Sequence, residues 1–333
     1  MNVLVAGGAG YIGSHTVKRL KEAGHVPVIY DNLSRGHRAA VEILNVPFID
    51  ADLNDRAVLT GALRQYKIDT VMHFAAYAYV GESVEKPLMY YQNNVATTIS
   101  VLQSMQETEV ERFVFSSTCA VYGDPDKIPI TEEEKKAPVS PYGRSKLQVE
   151  QILQDTPLGW KNFKFAALRY FNASGCAVDG TLGEDHDPET HLIPVVLQTI
   201  QGMRPEMSVF GTDYPTKDGT NIRDYIHVDD LADAHIAAME KLKAGEPIYC
   251  NLGTGNGFSV REIIAAAEKV TGKKVNVKYG PRRAGDAIAL YADPSKAKRV
   301  LGWEARHKDP ETIIRSAWNW FSKHPKGYDE KKK

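Results

Sequence analysis

The chain has 333 residues, 43% apolar and 25% charged, which suits a globular enzyme of one large domain or two closely packed ones. A net charge of −1 gives no broad field for nucleic acid or an anionic membrane, so any anionic ligand must be met by local groups. Three widely spaced cysteines, Cys119, Cys176 and Cys250, argue against a disulfide framework or a zinc site and fit a reducing cytoplasm; no metal ligands are assigned. The apolar run at residues 1–5 is too short for a signal peptide, and no apolar segment approaches the ~20 residues of a spanning helix.

In chain order, Asn2–Ala6 reads as a short buried strand. Residues 11–23 have helical spacing, with Ile12, Val17 and Leu20 apolar, and stop at Gly24. Strands follow at 26–30 and 46–50, a helix at 56–66, a strand at 70–74, a long helix at 88–105, and strands at 112–116 and 163–168. Strands alternating with helices predict the α/β class: a Rossmann-type doubly wound parallel sheet with ligands at the carboxyl ends of its strands. The second half is less regular. Residues 179–190 read as an acidic loop, 192–203 as a helix with Pro194 in its first turn, and 214–221 as a loop. A helix at 228–242, a strand at Ile248–Leu252 and a helix at Val260–Thr271 follow, and 326–333 read as a frayed charged tail. The expected organisation is a nucleotide-binding domain over 1–170, completed by about 223–250. Residues 171–333 are then mainly a smaller α/β domain for the substrate.

Gly8-x-Gly10-x-x-Gly13 fits the dinucleotide fingerprint, and Gly7-x-x-Gly10-x-x-Gly13 its wider-spaced variant. Glycines let the backbone turn tightly and approach a pyrophosphate, which then faces a helix N-terminus. Asp31 follows Gly13 by 18 residues, where a carboxylate accepts from ribose hydroxyls and repels a 2′-phosphate, so NAD is favoured over NADP. Arg35 nearby either pulls the other way or is a solvated loop arginine. Asp52 either accepts from an adenine amino group or caps a helix in Asp52-Leu53-Asn54-Asp55.

Tyr142 and Lys146, at i and i+4, share one face of a helix. A free phenol is too weakly acidic for a base at neutral pH; an adjacent ammonium and a nicotinamide cation would favour the phenolate. Thr118, ending the strand that carries Ser116 and Ser117, either hydrogen-bonds a substrate oxygen and Tyr142 or caps a turn.

At this point the chain resembles the extended short-chain dehydrogenase/reductases, and within them the UDP-glucose (UDP-galactose) 4-epimerase family, from Met1 to about Phe321. The similarity is carried by residues 7–15 (GGAGYIGSH), Asp31-Asn32-Leu33, His73-Phe74-Ala75-Ala76, Gly81-Glu82-Ser83, Asn93-Asn94-Val95 and 116–123. Further matches lie at 140–146, 168–172 (LRYFN), 211–219, 223–228 (RDYIHV) and 281–286. The resemblance implies an NAD reduced and reoxidised within one turnover. It adds Tyr11, Ile12, Asn32, Leu53, Phe74, Ala75, Ala76, Asn93, Ser116 and Tyr170 to the cofactor contacts. It places the UDP-sugar at Asn172, His191, Leu192, Phe210, Arg223, Tyr225, Arg283, Asp286 and Leu290, with Thr118 and Tyr142 at the reacting oxygen. Guanidinium groups at Arg223 and Arg283 suit a diphosphate bidentately. The expected partners are the UDP-sugar and a second copy of the chain, with no nucleic acid and no membrane.

Two departures from the family matter. Its lysine four residues beyond the Phe of the HFA motif is Ala78 here, so weaker NAD retention is expected. The position that gates the sugar pocket in the family matches Leu290, intermediate in bulk, which leaves tolerance of N-acetylated sugars open; the alternative is that Leu290 simply packs in the small domain. Related 4-epimerases of UDP-xylose/UDP-arabinose or UDP-N-acetylglucosamine remain alternatives, as does a non-catalytic NAD-binding module. Dehydratases carry an acid pair after the threonine, where this chain has Cys119-Ala120.

Overall fold

The computed structural model describes residues 1–283 and 286–328. Ala284 and Gly285 of the 281–286 motif, and residues 329–333 of the expected frayed tail, lie outside the described residues. Within the described part of that tail, Tyr328 packs its ring 5.3 Å from that of Trp320.

Strands β1 (Asn2–Ala6), β2 (Val26–Asp31), β3 (Phe48–Asp50), β4 (Thr70–His73), β5 (Arg112–Thr118) and β6 (Lys164–Tyr170) form one parallel sheet with Ile248–Leu252. Its order is Ile248–Leu252, β6, β5, β4, β1, β2, β3. The chain departs from β1 in opposite directions toward β2 and β4, and that reversal opens a crevice at their carboxyl ends. A parallel sheet is covered on both faces, which is why β4 is buried at every position and β1 from Val3 to Ala6. Val3 and Val5 pack in one core cluster, with Val17 and Leu20 of the helix Tyr11–Glu22 and Leu231 of Val228–Lys241. Leu4 and Ala6 point the other way, into a cluster with Leu59, Val101 and Val149 from three further helices.

The helix expected at 88–105 is a helical run from Pro87 to Glu107, interrupted by a π-turn at Gln92–Ala96. An extra residue in that turn re-aims side chains, a device common at functional sites. Buried Asn94 there accepts from Tyr77 N at 2.9 Å, donates to Tyr77 O at 3.0 Å and donates to Ser145 Oγ at 3.1 Å. The turn is thereby stitched to both the segment after β4 and the helix Pro141–Gly159.

Beyond Tyr170 the chain makes small sheets. Asn172–Ser174 pairs with Tyr225–His227, Ile222–Arg223 lies between Phe258–Ser259 and Ala289–Leu290, and Met207–Phe210 pairs with Val277–Gly280. Two helices without an expectation in the sequence, Ser295–Leu301 and Pro310–Phe321, close the chain. Among the described residues no helix is long and apolar enough to cross a membrane.

Three buried imidazoles predict acid sensitivity. His15 and His235 are held near pKa 4 and His73 near 3, in each case by burial. Below the unfolded value of about 6.5 the unfolded chain takes up protons that the folded one refuses, so folding free energy falls as pH drops from 6.5 toward 4. Each imidazole contributes on the order of 3 kcal/mol by the end of that window. Denaturation midpoints measured from pH 7 to pH 4 test this; a flat profile would mean the rings protonate within the fold.

Candidate active site

Gly7 follows β1 directly and sits at φ +81°, where a Cβ would lie 2.6 Å from the Ala75 amide nitrogen after β4. A Cβ at Gly13 would lie 2.1 Å from Gly7 O, so this glycine lets the helix approach the loop. Gly10 is different: a Cβ there would meet only Gly7 O, at 3.4 Å, so the surface above it is left to a ligand. No side chain caps the helix at Gly10, and first-turn amides that lack a cap favour an anion. The cradle therefore has the shape and charge a dinucleotide pyrophosphate requires.

An open cleft extends from the cradle across the ends of β2, β3 and β4. Gly7, Gly10, Asp31, Asn32, Asp52, Leu53, Phe74, Ala75, Ala76 and Asn93 all line it. Asp31 is 9% exposed; its Oδ2 accepts from Ala9 N at 3.0 Å and its Oδ1 from Leu33 N at 2.8 Å. Burial raises its pKa and the two amide bonds oppose that rise. The carboxylate thus braces the glycine loop and the turn after β2 together.

Arg35 is an exposed loop arginine, but a partnered one. Its guanidinium donates to both Glu82 carboxylate oxygens, at 3.2 and 3.1 Å, and to Asp187 O at 3.2 Å. It also lies over the rings of Tyr77 and Tyr79, at 5.4 and 5.1 Å. Asp52 does not cap the helix Arg56–Gln65; Asp55 does, accepting from Val58 N at 3.2 Å. Asp52 instead accepts from Asn32 Nδ2 at 2.9 Å and Asn54 N at 2.8 Å, on the cleft wall.

The residues expected to react lie one strand further along. β5 carries Ser116 and Thr118, and Thr118 is in register with Tyr170 on β6. Thr118 Oγ1 accepts from Ala120 N at 3.1 Å, capping the turn Cys119–Val121, and lies close enough to the Tyr142 phenol to pull its pKa down. Ser140 caps the helix Pro141–Gly159, with Pro141 in its first turn, and fixes where Tyr142 and Lys146 begin. Tyr142 is 7% exposed; burial and then Tyr170 raise its pKa, with Thr118 opposing. Lys146 turns toward β5: its Nζ donates to Ser116 O at 2.8 Å and lies 4.8 Å from the Phe115 ring centre. Burial brings it down to about 7, with Glu150 opposing. The expected lowering of Tyr142 by Lys146 is therefore not what these surroundings produce, because desolvation of both groups dominates.

Glu150 and Arg169 had no place in the expected site. Glu150 continues the stripe Tyr142, Lys146, Glu150 at four-residue steps, and that spacing was the available signal. It receives Arg169 Nε at 2.9 Å, Arg169 Nη2 at 2.6 Å and Ser117 Oγ at 2.6 Å.

Of the residues expected to hold the substrate, Arg223 and Leu290 are in register on neighbouring strands, and Leu290 packs on the cluster of Val121, Tyr122, Ile130, Phe171 and Ala292 beside Cys119. Asp286 accepts from Arg283 Nε at 2.9 Å and stands 3.9 Å from Arg223 Nη2; Arg283 lies 4.9 Å above the Phe210 ring. Asn172 and Tyr225 are register partners on adjacent strands. His191 and Leu192 open the helix Leu192–Ile200. Of the remaining expected contacts, Tyr11 donates to Gly175 O at 2.6 Å, and Ile12 packs on the core.

The model of the NAD dependent epimerase/dehydratase family matches residues 3–253. The UDP-glucose 4-epimerase of Streptococcus mutans is 49% identical over 334 residues, covering 99% of this chain and 100% of the relative. The crystal structure of UDP-glucose 4-epimerase from Brucella ovis in complex with NAD superposes with a TM-score of 0.92 at 50% identity, covering 96% of this chain and 98% of that one. The Bifidobacterium longum enzyme in complex with NAD+ and UDP gives a TM-score of 0.94 at 40% identity, covering 98% and 100%.

Proposed function

The chain belongs to the NAD dependent epimerase/dehydratase family, and from that premise we propose that it interconverts UDP-galactose and UDP-glucose through a 4-keto sugar. The observation that carries this is the gathering of Thr118, Tyr142 and Lys146 at the end of β5 beside a dinucleotide cradle. The chemistry NAD supplies there is a reversible hydride acceptor for C4 of the sugar. Gly7, Gly10 and Gly13 admit its pyrophosphate and Asp31 its ribose.

Tyr142 Oη removes the proton from the sugar 4-hydroxyl and later returns it. Thr118 Oγ1 holds the same oxygen. Lys146 is brought to about 7 by burial, and its ammonium together with the nicotinamide cation would favour the phenolate against the burial that raises Tyr142. Arg223 and Arg283, set by Asp286, keep the diphosphate in place while the 4-keto sugar turns over. We place the division between cofactor and substrate parts near Tyr170, with Ile248–Leu252 returning to the first. We also infer a cytoplasmic location, supported by three unpaired cysteines, and a homodimer, supported by exposed Val84, Leu88 and Ile99 on consecutive helices.

Incubating the protein with UDP-galactose and following the products by NMR tests the activity. UDP-glucose should form with no net use of NAD; absence of interconversion with NAD supplied refutes the reading. In the same assay, Leu290 should favour the hexoses over their N-acetyl forms by no more than about 10–200-fold, the range of a small apolar gate. Titration of apo-protein should show NAD bound at least about tenfold more tightly than NADP, or 1.4 kcal/mol. The reason is that Asp31 faces the ribose site while Arg35 is held by Glu82. Equal affinities would show that Arg35 releases Glu82 to meet the 2′-phosphate.

A further inference from the structure

The loop leading into helix Leu192–Ile200 brings together four side chains that neither the cofactor nor the sugar reading uses as a group: Glu184, His186, Glu189 and His191. One donor atom from each lies within 4.8 Å of all the others. His186 Nδ1 stands 3.3 Å from Glu184 Oε1 and 3.5 Å from Glu189 Oε2. His191 Nδ1 stands 3.2 Å from Glu184 Oε1 and 2.8 Å from Glu189 Oε1. Ligands about 2.0–2.1 Å from a tetrahedral zinc are about 3.3 Å from one another. Three of the four distances sit near that spacing, Glu189 meeting His186 through Oε2 and His191 through Oε1.

A second observation separates this arrangement from ordinary ion pairs. Glu184 is 2% exposed, yet its Oε1 and the facing Nδ1 of His186 make no hydrogen bond of proper direction among the described residues. Both atoms point into the cluster. The His191–Glu189 contact alone has hydrogen-bond geometry, at 2.8 Å. Two buried carboxylates side by side also call for positive charge between them.

We propose that Glu184, His186, Glu189 and His191 form a binding site for a zinc-class divalent cation. Two imidazole nitrogens with two carboxylate oxygens suit zinc better than calcium or magnesium, which prefer oxygen donors alone. Four protein donors make the site closed, hence structural rather than catalytic. The cysteines that argued against zinc take no part. The half-exposed His191 side chain gives the ion a route in from solvent. The His186 ring also meets Tyr11 and Tyr79 edge-on, at 5.8 and 6.3 Å, so the ion would clip this loop to the first turn of the cradle helix. The proposal does not depend on which sugar the protein converts.

The test uses the full-length, NAD-loaded protein, stripped with a chelator and titrated with zinc chloride by calorimetry, with elemental analysis after gel filtration. One zinc per chain is expected. Glu184→Gln and His186→Ala should each weaken binding at least about 100-fold, more than the loss of an outer partner does. His25→Gln, outside the cluster, should leave it unchanged. Cobalt(II) in the wild-type protein should give the intense visible bands of a four-coordinate ion, which decides the matter even if a variant fails to fold. No stoichiometric zinc, the weak bands of six-coordinate cobalt, or equal affinity in wild type and Glu184→Gln would each overturn the site and leave a network of imidazolium–carboxylate pairs.

Discussion

Tyr142→Phe is expected to lower kcat by about 10²–10⁴ while leaving NAD affinity nearly unchanged, because a positioned acid–base supplies that factor. The phenol is buried close to Thr118 and Tyr170, so the ring of a phenylalanine fits where the tyrosine stood. Only the exchangeable proton is lost. The glycine cradle and Asp31 are on other strands, so cofactor binding should not follow the loss. Single-turnover kinetics with UDP-galactose, set beside an NAD titration, separate the two. An unchanged kcat would move the base elsewhere, and a parallel loss of NAD affinity would mean the substitution disturbs the fold around β5.

Glu150→Ala is expected to cost about 3–5 kcal/mol of stability, the usual result of removing one partner from a buried ion pair. Glu150 is 3% exposed and Arg169 4%, so the guanidinium left behind has little access to water. Arg169 would keep its bond to the Tyr122 hydroxyl, at 2.9 Å, but lose both carboxylate contacts. The paired substitution Glu150→Leu with Arg169→Met should cost less than Glu150→Ala, since no charge is stranded. Urea denaturation of the three proteins measures this. A loss below about 1 kcal/mol in Glu150→Ala would mean that water enters and solvates Arg169. The same variant removes the group that opposes the lowering of Lys146, so an activity limb governed by that lysine should move to lower pH.

The glycine spacing at residues 7–13, the acidic end of β2 and the four-residue step from Tyr142 to Lys146 were legible in the linear sequence, because each expresses a local rule. A tight turn needs glycine, a strand end presents its last side chain, and a helix returns to the same face every turn. The alternating apolar segments disclosed the parallel sheet for the same reason. Other features were decided only by the packed chain. Asp55 rather than Asp52 caps its helix, Arg35 is held by Glu82 and stacked on two tyrosines, and a π-turn breaks the helix between Pro87 and Glu107. These depend on neighbours distant in sequence, for which no period or spacing speaks.

The state of the reactive pair belongs to the same class. Spacing put Tyr142 and Lys146 on one face, but the sheet chose Ser116 O as the partner of Lys146 and buried both groups. Charge interactions depend on how much water is excluded, and exclusion is a property of the whole fold rather than of any segment. The sequence by itself determined the fold class, the cradle and the identity of the reactive residues proposed here. Tertiary structure decided how those residues are aimed, how strongly they are desolvated, and which buried partners, Glu150 and Arg169 first among them, hold them there.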